Sequence, residues 1–238
     1  MLVGVIAFDL SVNVIDRWRM NKIQQRALEA AKIEQKLQEA RLELALHQIK
    51  PHFLQNALMS IKVLCRTRPK EAEQAVYDFA VFLRGNMNAL ESAEMIPFRE
   101  ECKTIERYLH IEKIRFGERL QVQWDLQEEK FRIPPLTIQP LVENAVCHGI
   151  CQKMEGGTVQ IRSFRKNGEI CVQILDDGAG FDTEKLKDAD GIAIRNLKLR
   201  LKEFLNADLE IESRKGEGCR QTIHIPWEET DDENYSDR

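Results

Sequence analysis

The chain has no run of about 18 consecutive apolar residues, so no stretch reads as a membrane-spanning helix. It has no basic excess either: 35 Lys and Arg stand against 39 Asp and Glu, and a net charge of −4 leaves no electrostatic footprint for nucleic acid. None of its six cysteines (Cys65, Cys102, Cys147, Cys151, Cys171, Cys219) belongs to a C-x-x-C pair. Cys147, His148 and Cys151 are neighbours, but no fourth ligand at finger-like spacing accompanies them. Free thiols in a reducing compartment are expected instead of a metal centre or a disulfide framework. Residues 1–8 are apolar, yet they lack a basic start and a small-residue cleavage site and break at Asp9, which makes a poor secretory signal. A membrane-proximal stub, an interfacial anchor and a buried helix end all stay open for them.

What is present is an ordinary soluble composition, 43% hydrophobic and 31% charged, long enough for one large or two modest domains. Residues 12–65 read as one long helix, and 21–50 contain neither Gly nor Pro. Ile23, Ala30, Ile33, Leu37, Ala40 and Leu44 recur at 3–4 spacing, interrupted once at Arg26, which favours a two-chain coiled coil. Pro51 removes a backbone hydrogen bond and crowds the preceding turn, so a kink is expected beside His52. Gln48, His52 and Asn56 form a polar stripe at i−4, i and i+4, with Phe53, Leu54 and Leu58 expected to pack inward. The two amides suit orientation of the imidazole, and neutral imidazole is a competent nucleophile near pH 7. His47 is the competitor, but it falls on the coiled-coil seam.

Residues 66–69 read as a turn and 70–92 as a second amphipathic helix, with Ala72, Val76, Phe79, Ala80, Leu83, Met87 and Leu90 as its apolar face. Two antiparallel helices, doubled in a dimer, make a four-helix bundle. After Pro97 a helix is expected over 99–116, capped by Gly117. Strands follow at 120–126, 158–164, 169–175, 209–213 and 220–225. Helices are expected from Pro134-Pro135 to His148 and from Gly191 to Leu205. This predicts an antiparallel sheet covered by helices on one face, an α+β sandwich, with 178–191 as a lid loop and an acidic, disordered tail at 228–238.

Three stretches carry chemistry. In residues 140–149, Leu141, Val142 and Ala145 can face a core while Asn144 and His148 leave one side four apart, flanked by Glu143. A carboxylate, an amide and an imidazole on one patch suit a hydrated Mg²⁺ and its phosphates; a core helix with a polar edge is the plainer alternative. Asp176 ends a strand, where it can accept from an exocyclic amine, and Gly178 and Gly180 let backbone approach a flat ligand. Gly191 opens a helix that carries Arg195 and Asn196, with free N–H groups for phosphate.

In this order and spacing the three stretches resemble the N, G1 and G2 boxes of the Bergerat (GHKL) ATP-binding fold, shared by histidine kinases, Hsp90-type chaperones and related ATPases. Gln48-Ile49-Lys50-Pro51-His52-Phe53-Leu54-Gln55-Asn56 and residues 108–120 resemble segments of the LytS/YehU-like sensor histidine kinases, and the likeness covers about residues 42–226. It implies four parts: a signalling helix (1–50), phosphoacceptor and dimerisation helices (51–96), an ATP-binding α/β sandwich (97–227) and a tail (228–238). It also implies ATP and Mg²⁺, autophosphorylation of His52, and transfer to an aspartate of a response regulator, LytTR-type by resemblance. The protein is then a homodimer, and the chain is the cytoplasmic portion of a membrane sensor whose membrane segment is not in it. By resemblance Asn144 ligates Mg²⁺, Asp176 reads the adenine amine, Gly178 and Gly180 shape the base pocket, and Gly191 starts the lid helix bearing Arg195 and Asn196. Glu143 and His148 line the phosphate side. Gln48 and Asn56 flank the acceptor, but no acidic residue follows His52, so its general base is open. Departures from the family pattern are Gln55 for an aromatic, Cys147 for a basic residue and Ala193 for a second Gly of the G2 box. A serine kinase or ATPase on the same fold, and a catalytically weak dimeric scaffold, are the competing functions.

Overall fold

The computed structural model describes residues 22, 25, 29, 32, 34, 36, 51–91, 94–182 and 192–227. Packing separates two units, Met1–Pro51 and His52–Arg238. In the first, Lys22, Gln25, Glu29, Lys32, Glu34 and Lys36 are helical and exposed. The expected seam residues, Gln48 and His47 lie outside the described residues, as do Gly191, residues 183–190 and the acidic tail. No helix among the described residues is long and apolar enough to cross a membrane.

The second unit opens with a helical hairpin, α1 (Pro51–Thr67) and α2 (Pro69–Glu91). Arg68 alone separates the helices; its N–H still bonds the Leu64 carbonyl at 2.7 Å, and Pro69 starts the next helix where no N–H is needed. The buried stripe of α1 is Phe53, Ala57, Ile61 and Leu64, and that of α2 is Ala72, Ala75, Phe82 and the polar Asp78 and Asn86. Both stripes are rotated from the expected ones. Leu58, Val76, Ala80 and Met87 are exposed, because the hairpin closes on its own 3–4 repeat and leaves a second apolar strip outside.

Strand β1 (Ile96–Pro97) leads into α3 (Phe98–Phe116), which ends at Gly117 with φ +58 and an N–H bonded to the Lys113 carbonyl. A left-handed glycine at that place is the cap the sequence predicts. β2 (Leu120–Leu126) and the short β3 (Arg132–Ile133) precede α4 (Gln139–Asn144). The chain then runs through β4 (Gly157–Lys166), β5 (Glu169–Asp176), α5 (Ile192–Leu205), β6 (Asp208–Arg214) and β7 (Gly218–Pro226). Pro134-Pro135 does not open α4. Leu136 takes a left-handed φ of +57 and breaks the path, so the helix begins at Gln139 with Pro140 in its first turn.

The five long strands form one sheet in the order β2-β4-β5-β7-β6. It is mixed, not purely antiparallel: β2 pairs with β4 in parallel, Leu120 opposite Gly157 through Leu126 opposite Ser163. A helical crossover lies between those two strands and delivers the second in the same direction. Alternation gives the sheet an inner face of Val159, Ile161, Ile170, Val172, Ile174, Ile223 and Ile225, all buried, as are Ile105, Leu141, Val142, Val146 and Leu201 of the helical layer. The outer face is polar: Arg162 pairs Asp125 at 3.0 Å, and Gln173 donates to Thr222 at 3.2 Å.

Candidate functional site

Helix α4 starts on a borrowed cap. The carboxylate of Glu101, on α3, accepts the N–H groups of Ile138 and Gln139, the latter at 3.1 Å. Full burial pushes this carboxyl up to about 7, against the lowering effect of those N–H groups and of Arg200 nearby. Arg200, on α5, also donates to the Leu136 carbonyl. One carboxylate and one guanidinium from separate helices thus hold the start of α4 and the bend that leads into it.

Beyond Asn144 the helix widens into a π turn, Ala145–Gly149, before a 3-10 turn at Ile150–Gln152. Such bulges shift the register of the side chains that follow and often occur at functional sites. Leu141, Val142 and Ala145 are buried as the sequence predicts; Glu143 and Asn144 are half-buried at the edge, and His148 is exposed. Gly149 ends the turn against Asp176, where a Cβ would lie 2.4 Å from Oδ1. Gly178 meets the Gly149 backbone, with 2.3 Å for a Cβ, and the Ala179 N–H bonds the Gly149 carbonyl at 3.1 Å. Gly180, at φ +56, would drive a Cβ to 2.0 Å from the Arg214 carbonyl. The Phe181 N–H bonds Ser213 Oγ at 2.9 Å. The acidic turn is therefore clamped between the π turn and the β6–β7 hairpin. The close approach that Gly178 and Gly180 permit is of backbone to backbone, and Gly149 makes room for the Asp176 carboxylate.

Asp176 is only 8% exposed. Its Oδ1 accepts the Gly178 N–H at 3.0 Å. Burial and, less, the charge of Asp177 push it up to about 6, offset in part by that N–H and by Lys153. Asp177 is turned away and accepts the Thr158 N–H at 2.7 Å. A desolvated carboxylate at the end of a strand, walled by glycines, is fitted to accept from a neutral amine.

The hairpin reaches α4 by two routes. Gln139 Nε2 lies 2.8 Å from Glu143 Oε1 and 2.9 Å from Asn86 Oδ1, and the Asn86 amide donates to the Phe82 carbonyl at 2.9 Å. Phe53, next to His52, stacks near Phe82 and Tyr108 with ring centroids 5.3 and 5.1 Å away, and the Tyr108 hydroxyl lies 4.0 Å from Cys147 Sγ. Cys147 therefore faces a tyrosine. His52 itself is exposed at the start of α1, with Asn56 Nδ2 3.0 Å from both ring nitrogens.

The structure thus brings Glu143 and Asn144 onto one helix and seats Asp176, Gly178 and Gly180 at its end. Arg195 and Asn196 lie exposed on α5, and His52 belongs to the hairpin. An open cleft of about 630 Å³ beside Asp176 runs along β6 and β7 past Ser213 and Cys219, and none of Glu143, Asn144 or His148 lines it. Four contributors are not apparent from motif spacing: Gly149, Glu101, Gln139 and Asn86. Two leave a trace in the sequence. Gly149 interrupts a helical pattern, which signals close approach. Glu101 sits in the apolar phase of α3 between Phe98 and Ile105, where a charge needs a buried partner.

Comparison with known proteins gives the same assignment. A family profile described as "Histidine kinase" matches residues 40–120, and one described as "Histidine kinase-, DNA gyrase B-, and HSP90-like ATPase" matches 135–229. The chain is 36% identical over 203 residues to the uncharacterized protein YwpD of Bacillus subtilis, covering 81% of this chain and 73% of YwpD. It is 31% identical over 217 residues to sensor protein LytS of Bacillus cereus, covering 85% of this chain and 37% of LytS. It is 32% identical over 195 residues to sensor histidine kinase BtsS of Escherichia coli, covering 80% of this chain and 34% of BtsS. The chain spans little more than a third of those two sensors.

Proposed function

This chain belongs to the LytS/YehU-type histidine kinases, and from that premise we propose that it transfers the γ-phosphoryl group of ATP to His52 and then to an aspartate of a response regulator. The observation that carries the proposal is the double connection from the hairpin that presents His52 to the helix that presents Glu143 and Asn144. One route runs through Phe53, Tyr108 and Cys147, the other through Asn86 and Gln139. Acceptor and nucleotide elements are held by shared contacts, and phosphoryl transfer is largely a matter of positioning and charge neutralisation.

In this reading an imidazole nitrogen of His52 attacks the γ-phosphorus, the bond to the β-phosphate oxygen breaks, ADP leaves, and the ring proton passes to solvent or a base. Asn56 orients the ring. Asp176 accepts from the exocyclic amine of adenine, with Gly149 and Gly178 shaping the space beside it. The half-buried Asn144 and Glu143 offer the hard oxygen donors that Mg²⁺ prefers, which is the fit expected of a phosphate-side edge. Bound Mg²⁺ would neutralise charge on the phosphates. Gln139 and Asn86 fix the Glu143 carboxylate. The roles of His148, Gly191, Arg195 and Asn196 on the phosphate side rest on the resemblance. A place on the cytoplasmic side of a membrane sensor, and a LytTR-type regulator as partner, rest on the same resemblance. Incubation with γ-labelled ATP and Mg²⁺ tests the proposal: label on the chain is expected, and its absence overturns it.

Nucleotide affinity should depend on the charge of Asp176. Its carboxyl titrates near 6 before ligand binds, and an amine donor favours the charged form. Affinity is therefore expected to rise with pH to about 7 and level off, and to fall by up to about tenfold per unit below 6. Calorimetric titrations of wild type and Asp176→Asn across this range check it. Matching pH slopes in the two proteins would remove Asp176 from the binding event.

The exposed apolar strip of the hairpin is the proposed dimer surface. Leu58, Met59 and Val63 are each more than half exposed on α1, and Val76 and Tyr77 are exposed on α2. A second hairpin would cover them and complete a four-helix bundle. Met59→Glu with Val63→Glu is expected to halve the mass seen by light scattering with nucleotide affinity intact, since both residues are far in sequence from the ATP elements. An unchanged mass would move the pairing to the helix before Pro51.

A further inference from the structure

The outer face of the sheet gathers a second set of reactive side chains, at the end of β5 opposite Asp176. Glu169 and Cys171 are two apart on β5, so both leave the same face. His224 on β7 is the direct cross-strand neighbour of Cys171. Its Nδ1 lies 3.0 Å from Glu169 Oε2 and 3.9 Å from Cys171 Sγ, and one donor atom from each residue lies within 4.8 Å of the other two. Among the described residues this is the one group of three His, Cys, Asp or Glu whose donor atoms converge in this way. On the far side of the ring, Nε2 lies 3.5 Å from Glu210 Oε2 on β6.

Those separations are close to what a tetrahedral zinc ion requires. Bonds of about 2.3 Å to thiolate, about 2.05 Å to imidazole and about 2.0 Å to carboxylate put sulfur about 3.5 Å from nitrogen and nitrogen about 3.3 Å from oxygen. The observed 3.9 and 3.0 Å need shifts of a few tenths of an ångström, and the sulfur–oxygen pair, within 4.8 Å, closes toward about 3.5 Å by rotation of the part-exposed Glu169 carboxylate. Glu210 stands where the outer carboxylate of a carboxylate–histidine–zinc arrangement stands, able to take the Nε2 proton's hydrogen bond and so present Nδ1 as the ligand. A His–Glu ion pair on a strand surface would need none of this. It has no use for a cysteine at its side, and Cys171 is 3% exposed while His224 and Glu169 stay open to solvent as an entry path.

We propose that Glu169, Cys171 and His224 form a binding site for a thiophilic divalent ion, zinc by choice of ligands, with a water in the fourth position. A thiolate and an imidazole select zinc over Mg²⁺ or Ca²⁺, which take oxygen sets. In the metal-free chain, burial and the carboxylate of Glu169 push the Cys171 thiol up. A coordinated ion reverses this and deprotonates it, so binding releases a proton. The site staples β5 to β7, and its nearest ligand, Cys171, is five residues from Asp176, roughly 17 Å at about 3.3 Å each. Its occupancy is thus separable from nucleotide binding.

The full chain, stripped with EDTA, is titrated with Co²⁺ and followed by absorption. One equivalent is expected to give thiolate-to-cobalt charge transfer in the near ultraviolet with tetrahedral d–d bands, both removed by Zn²⁺. Cys171→Ser should lose the charge-transfer band, and His224→Gln should bind at least about tenfold more weakly. Cys147→Ser with Cys151→Ser should leave the spectrum unchanged. If Cys171→Ser fails to fold, as circular dichroism will show, His224→Gln and Glu169→Gln carry the test, since both residues are part-exposed. No thiolate band in the wild type, a band that survives Cys171→Ser, or one lost with Cys147 and Cys151 overturns the proposal.

Discussion

His52→Ala is expected to abolish phosphate incorporation and to leave ATP binding unchanged. His52 is exposed and its one described side-chain partner is Asn56, a turn away on the same helix. Exposed substitutions of this kind change stability by about 0.5 kcal/mol or less, and alanine is the better helix former. The packing that holds the hairpin belongs to Phe53, Ala57, Ile61 and Leu64, which the substitution does not touch. Loss of label therefore reports loss of the acceptor. Filter binding after incubation with γ-labelled ATP reads incorporation, and calorimetry reads affinity. Label kept by the variant would place the acceptor elsewhere, with His47 the first residue to replace.

Asp176→Ala and Asn144→Ala are expected to fail in different ways. Removing the Asp176 carboxylate leaves the Gly178 N–H without the acceptor it has at 3.0 Å, a cost of about 1–3 kcal/mol that falls on the turn itself. It also takes away the partner of the adenine amine, so binding should weaken about tenfold or more and the preference over guanine nucleotides should collapse. Asn144 is half-buried at the helix edge, and its loss should leave Mg²⁺-free nucleotide affinity near wild type while turnover in Mg²⁺ falls by orders of magnitude. Titrations with and without Mg²⁺, paired with single-turnover rates, separate the two. Equal loss of affinity in both proteins would sink the division of roles.

The elements were legible where period and punctuation agree. β5 alternates and ends at an acidic, glycine-rich turn, and its expected span differs from the observed one by a single residue. Gly117 stops α3 where a left-handed cap is needed. The faces of the hairpin were not legible. Phe53, Leu58, Val76 and Met87 all fit an apolar 3–4 repeat, and which strip turns inward depends on what α3 presents to it, Tyr108 above all. The π turn was equally hidden, since widening at Ala145 is set by the docking of Gly149 on Asp176, 27 positions away. The same holds for Glu101 at the N–H groups of Ile138 and Gln139, and for Asn86 at Gln139. Residue types mark such contacts only as polar groups in apolar phase; the fold supplies the partner. His52, Asn144, Asp176 and Gly178 are proposed from order and spacing along the chain, which carry the resemblance.

The acid and base stability of the phosphoryl–protein bond tests the central claim most directly. Wild-type chain labelled from γ-labelled ATP is split into acid- and alkali-treated portions, and the labelled peptide is sequenced by mass spectrometry. A phosphoramidate at His52 predicts label that is lost in acid, retained in alkali, and carried on the peptide containing Phe53 and Asn56. Acid-stable label on a serine or threonine peptide would contradict it and leave the chain a kinase of another kind on the same nucleotide fold.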